Sequence, residues 1–314
     1  MRDVICVGNY VADIVAKPVE KMPPRGKLVL VDHMELHNGG CAMNKAIALA
    51  KIGIRTGVIG KVGNDRFGEF LIDIMKKHGL NTNGIIKDKN VNTSATMVLI
   101  SKDGERSFIH YIGANAELKL SDIDFNIIKQ YKILDVSGFF AMNKLDGPPT
   151  AEILKRGKKL GLITVLDVCW DVKNRWMKLL EPCLKYVDYF VPSFEEAVQL
   201  SKKKEPSLIA REFFKKGVKI VVIKMSDKGS FIATRDKEYR IKPYKVKSVD
   251  TVGAGDSFVA GFITGIIKGW DLEKTGKFAN AVGACCVSAI GASTGIKTLN
   301  ETLKFMKKTN VVCN

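Results

Sequence analysis

The chain has 314 residues, 46% hydrophobic and 26% charged, and its 50 basic side chains against 33 acidic ones give a formal charge of +17. This apolar content excludes an intrinsically disordered chain and suffices for one large core with a small appendage. Apolar runs stop well short of a membrane span, and the lysines crowd helix-like segments such as MKKHG and LKRGKKLG without interleaved aromatics, which argues against a dedicated nucleic-acid role.

The opening MRDVICVGNYVADIV lacks the basic, apolar and small-residue succession of a signal peptide. Within it, residues 4–8 read as a buried strand. Residues 40–53 then read as a glycine-started helix, 56–60 as a strand and 67–79 as a helix. Further strands are expected at 132–138, 162–168, 187–192 and 220–225, separated by helices near 149–160, 195–201, 207–216 and 256–268. Alternation of this kind predicts an α/β chain with a mainly parallel central sheet. Two pieces break the rhythm. Residues 10–37 and 92–112 hold short alternating strands (KLVLVDHMEL, SATMVLIS, RSFIHYIG) with an Asp103-Gly104 turn, and predict a small sheet projecting from the main domain as a lid. An edge extension or a dimer surface is the competing reading of that sheet, and compatible with it.

Seven cysteines, at 6, 41, 169, 183, 285, 286 and 313, show no CxxC spacing, and the four histidines, at 33, 37, 78 and 110, form no zinc-type string. His33 and His37 are read as lying on a strand edge. A reduced cytoplasm is the expected compartment. There is neither a GxxxxGK[ST] element nor a strand-linked GxGxxG, so a nucleotide, if bound, is bound in another way.

The most telling segment is Asp250 to Phe262, DTVGAGDSFVAGF. Gly253 and Gly255 line a turn that opens an apolar helix. First-turn N–H groups there are free to hold an anion, and Asp256 stands close enough to take a proton from an attacking hydroxyl. An acid beside an anion hole points to phosphoryl transfer. A structural turn with Asp256 as a helix cap is the alternative.

Residues 250–262 resemble the C-terminal signature of the ribokinase-like, or PfkB, family of carbohydrate kinases. Gly39-Gly40-Cys41-Ala42-Met43-Asn44 resembles that family's di-glycine sugar-binding segment, and Gly60 to Gly68 its following glycine-rich turn. With Asp13 and the order of landmarks, the resemblance spans essentially the whole chain. It implies a three-layer α/β/α kinase domain over 1–314, with the 10–37 and 92–112 lid inserted.

The resemblance also implies ATP-dependent transfer of the γ-phosphoryl group to a sugar hydroxyl, with Asp256 as base and the N–H groups around Gly253, Ala254 and Gly255 as the anion hole. Asp13, Gly39, Gly40 and Asn44 would hold the polyol, and Arg106 is the lid arginine that could reach it. Lys224, Ser226 and Gly229 would approach the nucleotide's phosphates or ribose, and Asn280, Gly283 and Gly295 the adenine. Pro192-Ser193-Phe194-Glu195-Glu196 resembles the magnesium-linked segment, in which Glu196 would act through water, with Ser193 where the family has asparagine. Asp250 and the Val252 carbonyl match a site for a monovalent cation such as potassium. A sugar is the first substrate choice and a nucleoside the second, with Met97, Phe108 and Tyr111 as base contacts. A non-catalytic sugar or nucleotide sensor and a homodimer through the lid sheet are the remaining expectations.

Overall fold

The computed structural model describes residues 1–309 and Val311, so Cys313 lies outside the described residues. In chain order the strands are Arg2–Gly8 (β1), Val11–Lys17 (β2), His33–Gly39 (β3), Thr56–Gly63 (β4), Asn81–Asp88 (β5), Ala95–Ile100 (β6) and Arg106–Tyr111 (β7). They continue with Tyr131–Phe139 (β8), Ile163–Val168 (β9), Tyr189–Phe190 (β10), Ile220–Lys224 (β11), Ser230–Ala233 (β12) and Glu238–Ile241 (β13).

Nine of them form one sheet in the order β13-β12-β11-β10-β9-β8-β1-β4-β5. All neighbours from β11 to β5 are parallel, and only β12 and β13 run antiparallel. The mainly apolar runs of β1, β8 and β9 are accounted for by cover on both faces. One face packs on the helices Cys41–Ile52, Ala254–Ile267 and Leu272–Val287 through Met43, Ile47, Phe262 and Phe278. The other packs on Pro148–Lys159, Trp176–Leu184 and Pro206–Lys215 through Leu154, Leu180, Ile209 and Phe213. Hence the three layers.

The chain leaves β1 for β4 on one side and returns to β8 on the other, so the crevice above their carboxyl ends is where such sheets take ligands. Over that crevice stands the second sheet, in the order β3-β2-β6-β7. Its register puts His37, Asp13, Thr96 and His110 in one row across all four strands. The next row, on the opposite face, is Leu36, Ile14, Met97 and Ile109. The lid row at the root of the sheet is therefore polar, followed on the same face by Glu35, Val15, Val98 and Phe108, whereas the outer face carries Leu36, Met97 and Ile109, which are exposed.

Four expectations need correction. The strand expected from Lys27 begins only at His33, and Leu28 and Leu30 are 84% and 83% exposed, with no neighbouring strand to pair them. The strand expected over 187–192 shortens to Tyr189–Phe190. Asp188 spends its carboxylate on Lys158, Lys219 and the Thr164 N–H, and Ser193 already caps the next helix. Met97 and Tyr111 face away from the cleft, leaving Phe108 on the inner side between Arg106 and His110. Asn280 as it stands has no donor left for an adenine: its amide donates to the carbonyls of Ile241 (3.1 Å) and Lys242 (3.0 Å), which pegs the end of β13 to the helix Leu272–Val287. The strand-edge reading of His33 and His37 holds, and both rings turn to Glu35 between them.

Candidate active site

Gly253 stands before the helix Ala254–Ile267 with φ 74°, a left-handed conformation, and a Cβ there would lie 2.5 Å from the Ala292 carbonyl. Only glycine fits that position. No side chain caps the turn, so the N–H groups of Gly255 and Asp256 are left without a protein partner among the described residues. Asp256 is thus no cap. Its carboxylate accepts instead from Asn44 Nδ2 at 3.0 Å, a bond linking residues 212 positions apart. Burial first, and the negative charge of Asp167 next, push Asp256 up to about 6, against the pull of Lys45, Asn44 and Lys224.

Asn44 accepts in turn from Asn38 Nδ2 at 3.0 Å, so both ends of its amide are oriented. Gly40, with φ 90°, lets the helix Cys41–Ile52 start against the Asn9 carbonyl, which a Cβ would meet at 2.6 Å. Gly39 lies under Asp13, whose carboxylate would stand 1.9 Å from a Cβ there. Asp13 is pushed up to about 6 by burial, opposed by a hydrogen bond from Thr96, and Thr96 Oγ1 lies 3.1 Å from His110 Nδ1. Asp13, Gly39, Gly40 and Asn44 therefore sit together at the root of the lid, on the approach to Asp256.

Beneath them runs a line of buried charges. Lys45 is fully buried, with Nζ 3.2 Å from Asp135, 3.3 Å from Asp167 and 2.6 Å from Ser137 Oγ. Ser137 donates onward to Asp135 Oδ2 at 2.6 Å, and Lys224 Nζ reaches the other oxygen of Asp167 at 2.8 Å. Burial works against the charge of Lys45, but Asp135, Asp167 and Asp256 outweigh it and hold its pKa above the usual lysine value. Asp167 is likewise buried, yet its two lysines keep it below the ordinary carboxylate range, whereas burial raises Asp135, which has one. None of Lys45, Asp135 or Ser137 was singled out from the sequence. A signal was there: a single acid interrupts each of the apolar strands KILDVSG and LITVLDV, and a lysine interrupts the apolar helix AMNKAIALA.

Lys224 also borders the anion turn, its Nζ 3.6 Å from where a Cβ on Gly255 would be. Ser226, with φ 53°, and Gly229, with φ 85°, form the tight turn from β11 into β12, where a Cβ on Gly229 would meet the Ile241 carbonyl at 2.0 Å. Gly283 faces Ala254 and Phe258 in ordinary van der Waals contact, and Gly295 is pressed on the Cys285 carbonyl. Among the described residues the buried hydroxyl of Ser230 has no oxygen or nitrogen partner and that of Ser257 has only the Cys286 thiol beside it, and each follows one of the two glycine turns.

Ser193 caps the helix Phe194–Ser201 in a reciprocal box, accepting from the Glu196 N–H at 3.3 Å while its own N–H donates to Glu196 Oε2 at 2.7 Å. Among the described residues the other oxygen of Glu196 has no hydrogen-bond partner, and burial, aided by Asp167, raises this acid despite Lys224. Asp250 is shared: Oδ1 accepts from the Val252 N–H at 3.0 Å and lies 3.2 Å from Arg106, and Oδ2 accepts from the Gly291 N–H at 2.9 Å. Among the described residues no three His, Cys, Asp or Glu side chains converge to chelate an ion unaided.

An oriented carboxylate beside an uncapped helix start, a lysine at the same turn and a polar lid row above describe a site able to deprotonate a hydroxyl and hold an anion next to it. The description pfkB family carbohydrate kinase matches residues 1–299. The chain belongs to this family. A 5-dehydro-2-deoxygluconokinase of Clostridium perfringens is 32% identical over 98% of this chain and 93% of its own length. Among solved structures, a Thermotoga maritima ribokinase superposes with TM-score 0.83 at 29% identity, over 98% of this chain and 100% of its own. An Arabidopsis thaliana ribokinase complexed with ribose and ATP gives 0.85 at 26%, over 98% and 99%. The three-layer sheet with its small separate lid sheet is thus the ribokinase-like fold, and the protein is a carbohydrate kinase. Among the described residues no helix is long and apolar enough to cross a membrane.

Proposed function

We propose that this carbohydrate kinase moves the γ-phosphoryl group of ATP to a hydroxyl of a neutral sugar bound between the lid and the carboxyl ends of β1 and β8. The hydrogen bond from Asn44 to Asp256, which joins the di-glycine helix to the anion turn, carries this reading. Asp256 takes the hydroxyl proton, and the backbone N–H groups of the 253–255 turn, with that of Gly255 free and that of Ala254 first released from the Thr251 carbonyl, meet the charge on the transferring group. Asp13 and Asn44 bind the sugar hydroxyls over Gly39 and Gly40. Lys224, Ser226 and Gly229 line the phosphate side, with Gly283 and Gly295 behind the anion turn.

Magnesium fits a site with one free oxygen on Glu196, since Mg²⁺ keeps several waters and takes phosphate oxygens in place of a protein cage. When bound, it neutralises phosphate charge. Potassium enters this reading as a cation held by the Asp250 carboxylate and the Val252 carbonyl when Arg106 is withdrawn from that carboxylate. A sugar is favoured over a nucleoside because the inner lid row is polar and Phe108 alone of the three base-contact candidates faces the cleft. The reading puts the protein in a reduced cytoplasm, in keeping with the six free cysteines of the described chain.

The decisive assay is ADP release from Mg-ATP across pentoses, hexoses, ketoses, sugar acids and nucleosides. Response to a neutral sugar is expected; response to nucleosides alone overturns the substrate assignment. The same reading makes the protein a homodimer whose lids cover each other's apolar row of Leu36, Ile14, Met97 and Ile109. Light scattering should give twice the 34.6 kDa chain mass, and Met97→Glu should halve it. A monomer at working concentration refutes the assignment.

A further inference from the structure

The lid touches the main domain at the loop that builds the anion turn. Arg106, the first residue of β7, donates to Thr251 Oγ1 at 2.8 Å and lies 3.2 Å from Asp250 Oδ1. Both side chains of the ion pair are partly buried, at 20% and 14% exposure. The remaining partners of Asp250 are backbone: the Val252 N–H within the anion turn and the Gly291 N–H from the loop behind it. That loop supports the turn directly, since Gly253 packs on Ala292. His37, from the opposite edge of the lid, also borders Gly291, where a Cβ would stand 3.6 Å from its Nδ1.

One carboxylate thus joins three segments: the lid, the turn at 250–255 and the loop at 289–293. A partly buried carboxylate is favoured by an opposite charge beside it. Two N–H groups orient it, and the cation beside it is carried by the lid. Raising the lid removes that cation and one bond to Thr251 together. Lowering it returns both, two residues ahead of Gly253.

We infer that Arg106 is a positioning residue: with the lid down it supplies at Asp250 the charge that a monovalent cation would otherwise supply, so that lid closure and ordering of the anion turn are one event. The inference rests on the kinase reading of the turn. It moves Arg106 from the sugar to the machinery that waits for the sugar.

The test compares the wild type with Arg106→Gln and Arg106→Lys in two measurements. The first is amide hydrogen exchange of the ligand-free protein. Arg106→Gln should speed exchange both in the lid, 95–111, and in the turn, 250–256, while Arg106→Lys stays nearer the wild type. Acceleration confined to the lid, or none, overturns the coupling. The second is turnover in tetramethylammonium buffer, with potassium or guanidinium added back. Wild-type turnover should depend little on either cation. For Arg106→Gln, kcat should fall roughly 10- to 100-fold with the sugar KM little changed, as expected of a misplaced group near the chemistry, and an added cation should restore most of it. A raised sugar KM with intact kcat would show that Arg106 contacts the sugar instead. A wild type inactive on every sugar would defeat the kinase reading, and exchange would still decide the coupling.

Discussion

Asp256→Asn is expected to lower turnover by roughly 10²- to 10⁴-fold, the contribution of a positioned general base, while leaving the fold and ATP binding intact. Asparagine matches aspartate in shape and retains an oxygen to accept from Asn44 Nδ2, so the bond between the di-glycine helix and the anion turn survives. What it loses is the proton acceptor. The wild type should show the same dependence through pH. With Asp256 raised to about 6, kcat/KM should be flat above neutrality and fall tenfold per unit as the base protonates below that value.

The stability sign runs the other way. A carboxylate raised in the folded state binds its proton more tightly there, so its contribution to stability is present at low pH and lost as pH rises from the unfolded value of about 4 through 6. Asp256→Asn removes that loss, and its urea midpoint at pH 8 should equal or exceed the wild type's. Near-normal turnover would sink the assignment of the base. Lost turnover with a lowered midpoint would mean a structural role.

The parts of this site legible in the sequence are those where backbone chemistry leaves its own mark. Gly253 and Gly40 occupy left-handed conformations against neighbouring carbonyls, and the acids and amides they admit, Asp256 and Asn44, lie within four residues of them. The alternation of strands and helices is readable because each buried central strand is a mainly apolar run, interrupted in β8 and β9 by a single acid. Long-range partnerships leave no such mark. Asn280 spends its amide donors on the end of β13, one of them on a carbonyl 39 residues away. The lid strands could be found but not their register, and register alone decides that Asp13, Thr96 and His110 share a face while Met97 turns outward. Ser193, an apparent departure from the family's asparagine, makes sense only with Glu196 in view, because serine is a good N-cap and completes the box.

Lys45→Met is expected to be the most destabilising single change at this site, at about 3–5 kcal/mol, the usual cost of removing one partner of a buried ion pair. Methionine fills much the same volume, so the loss is electrostatic more than one of packing. Lys45 answers two carboxylates, and they are not left in the same state when it goes. Asp167 keeps Lys224 at 2.8 Å. Asp135 keeps only the hydroxyl of Ser137 at 2.6 Å, in a position without solvent. It must then stay ionised and uncompensated or bind a proton, and the variant's deficit should shrink as pH falls and Asp135 is neutralised. The asymmetry makes the prediction specific. In the Lys45→Met background, adding Asp135→Asn should recover much of the lost urea midpoint at unchanged m-value, whereas adding Asp167→Asn should recover little and strand Lys224 in turn. Equal recovery by both would show that Lys45 serves the two acids alike. A midpoint unmoved by Lys45→Met would mean that the buried line of charges does not hold the floor of the site.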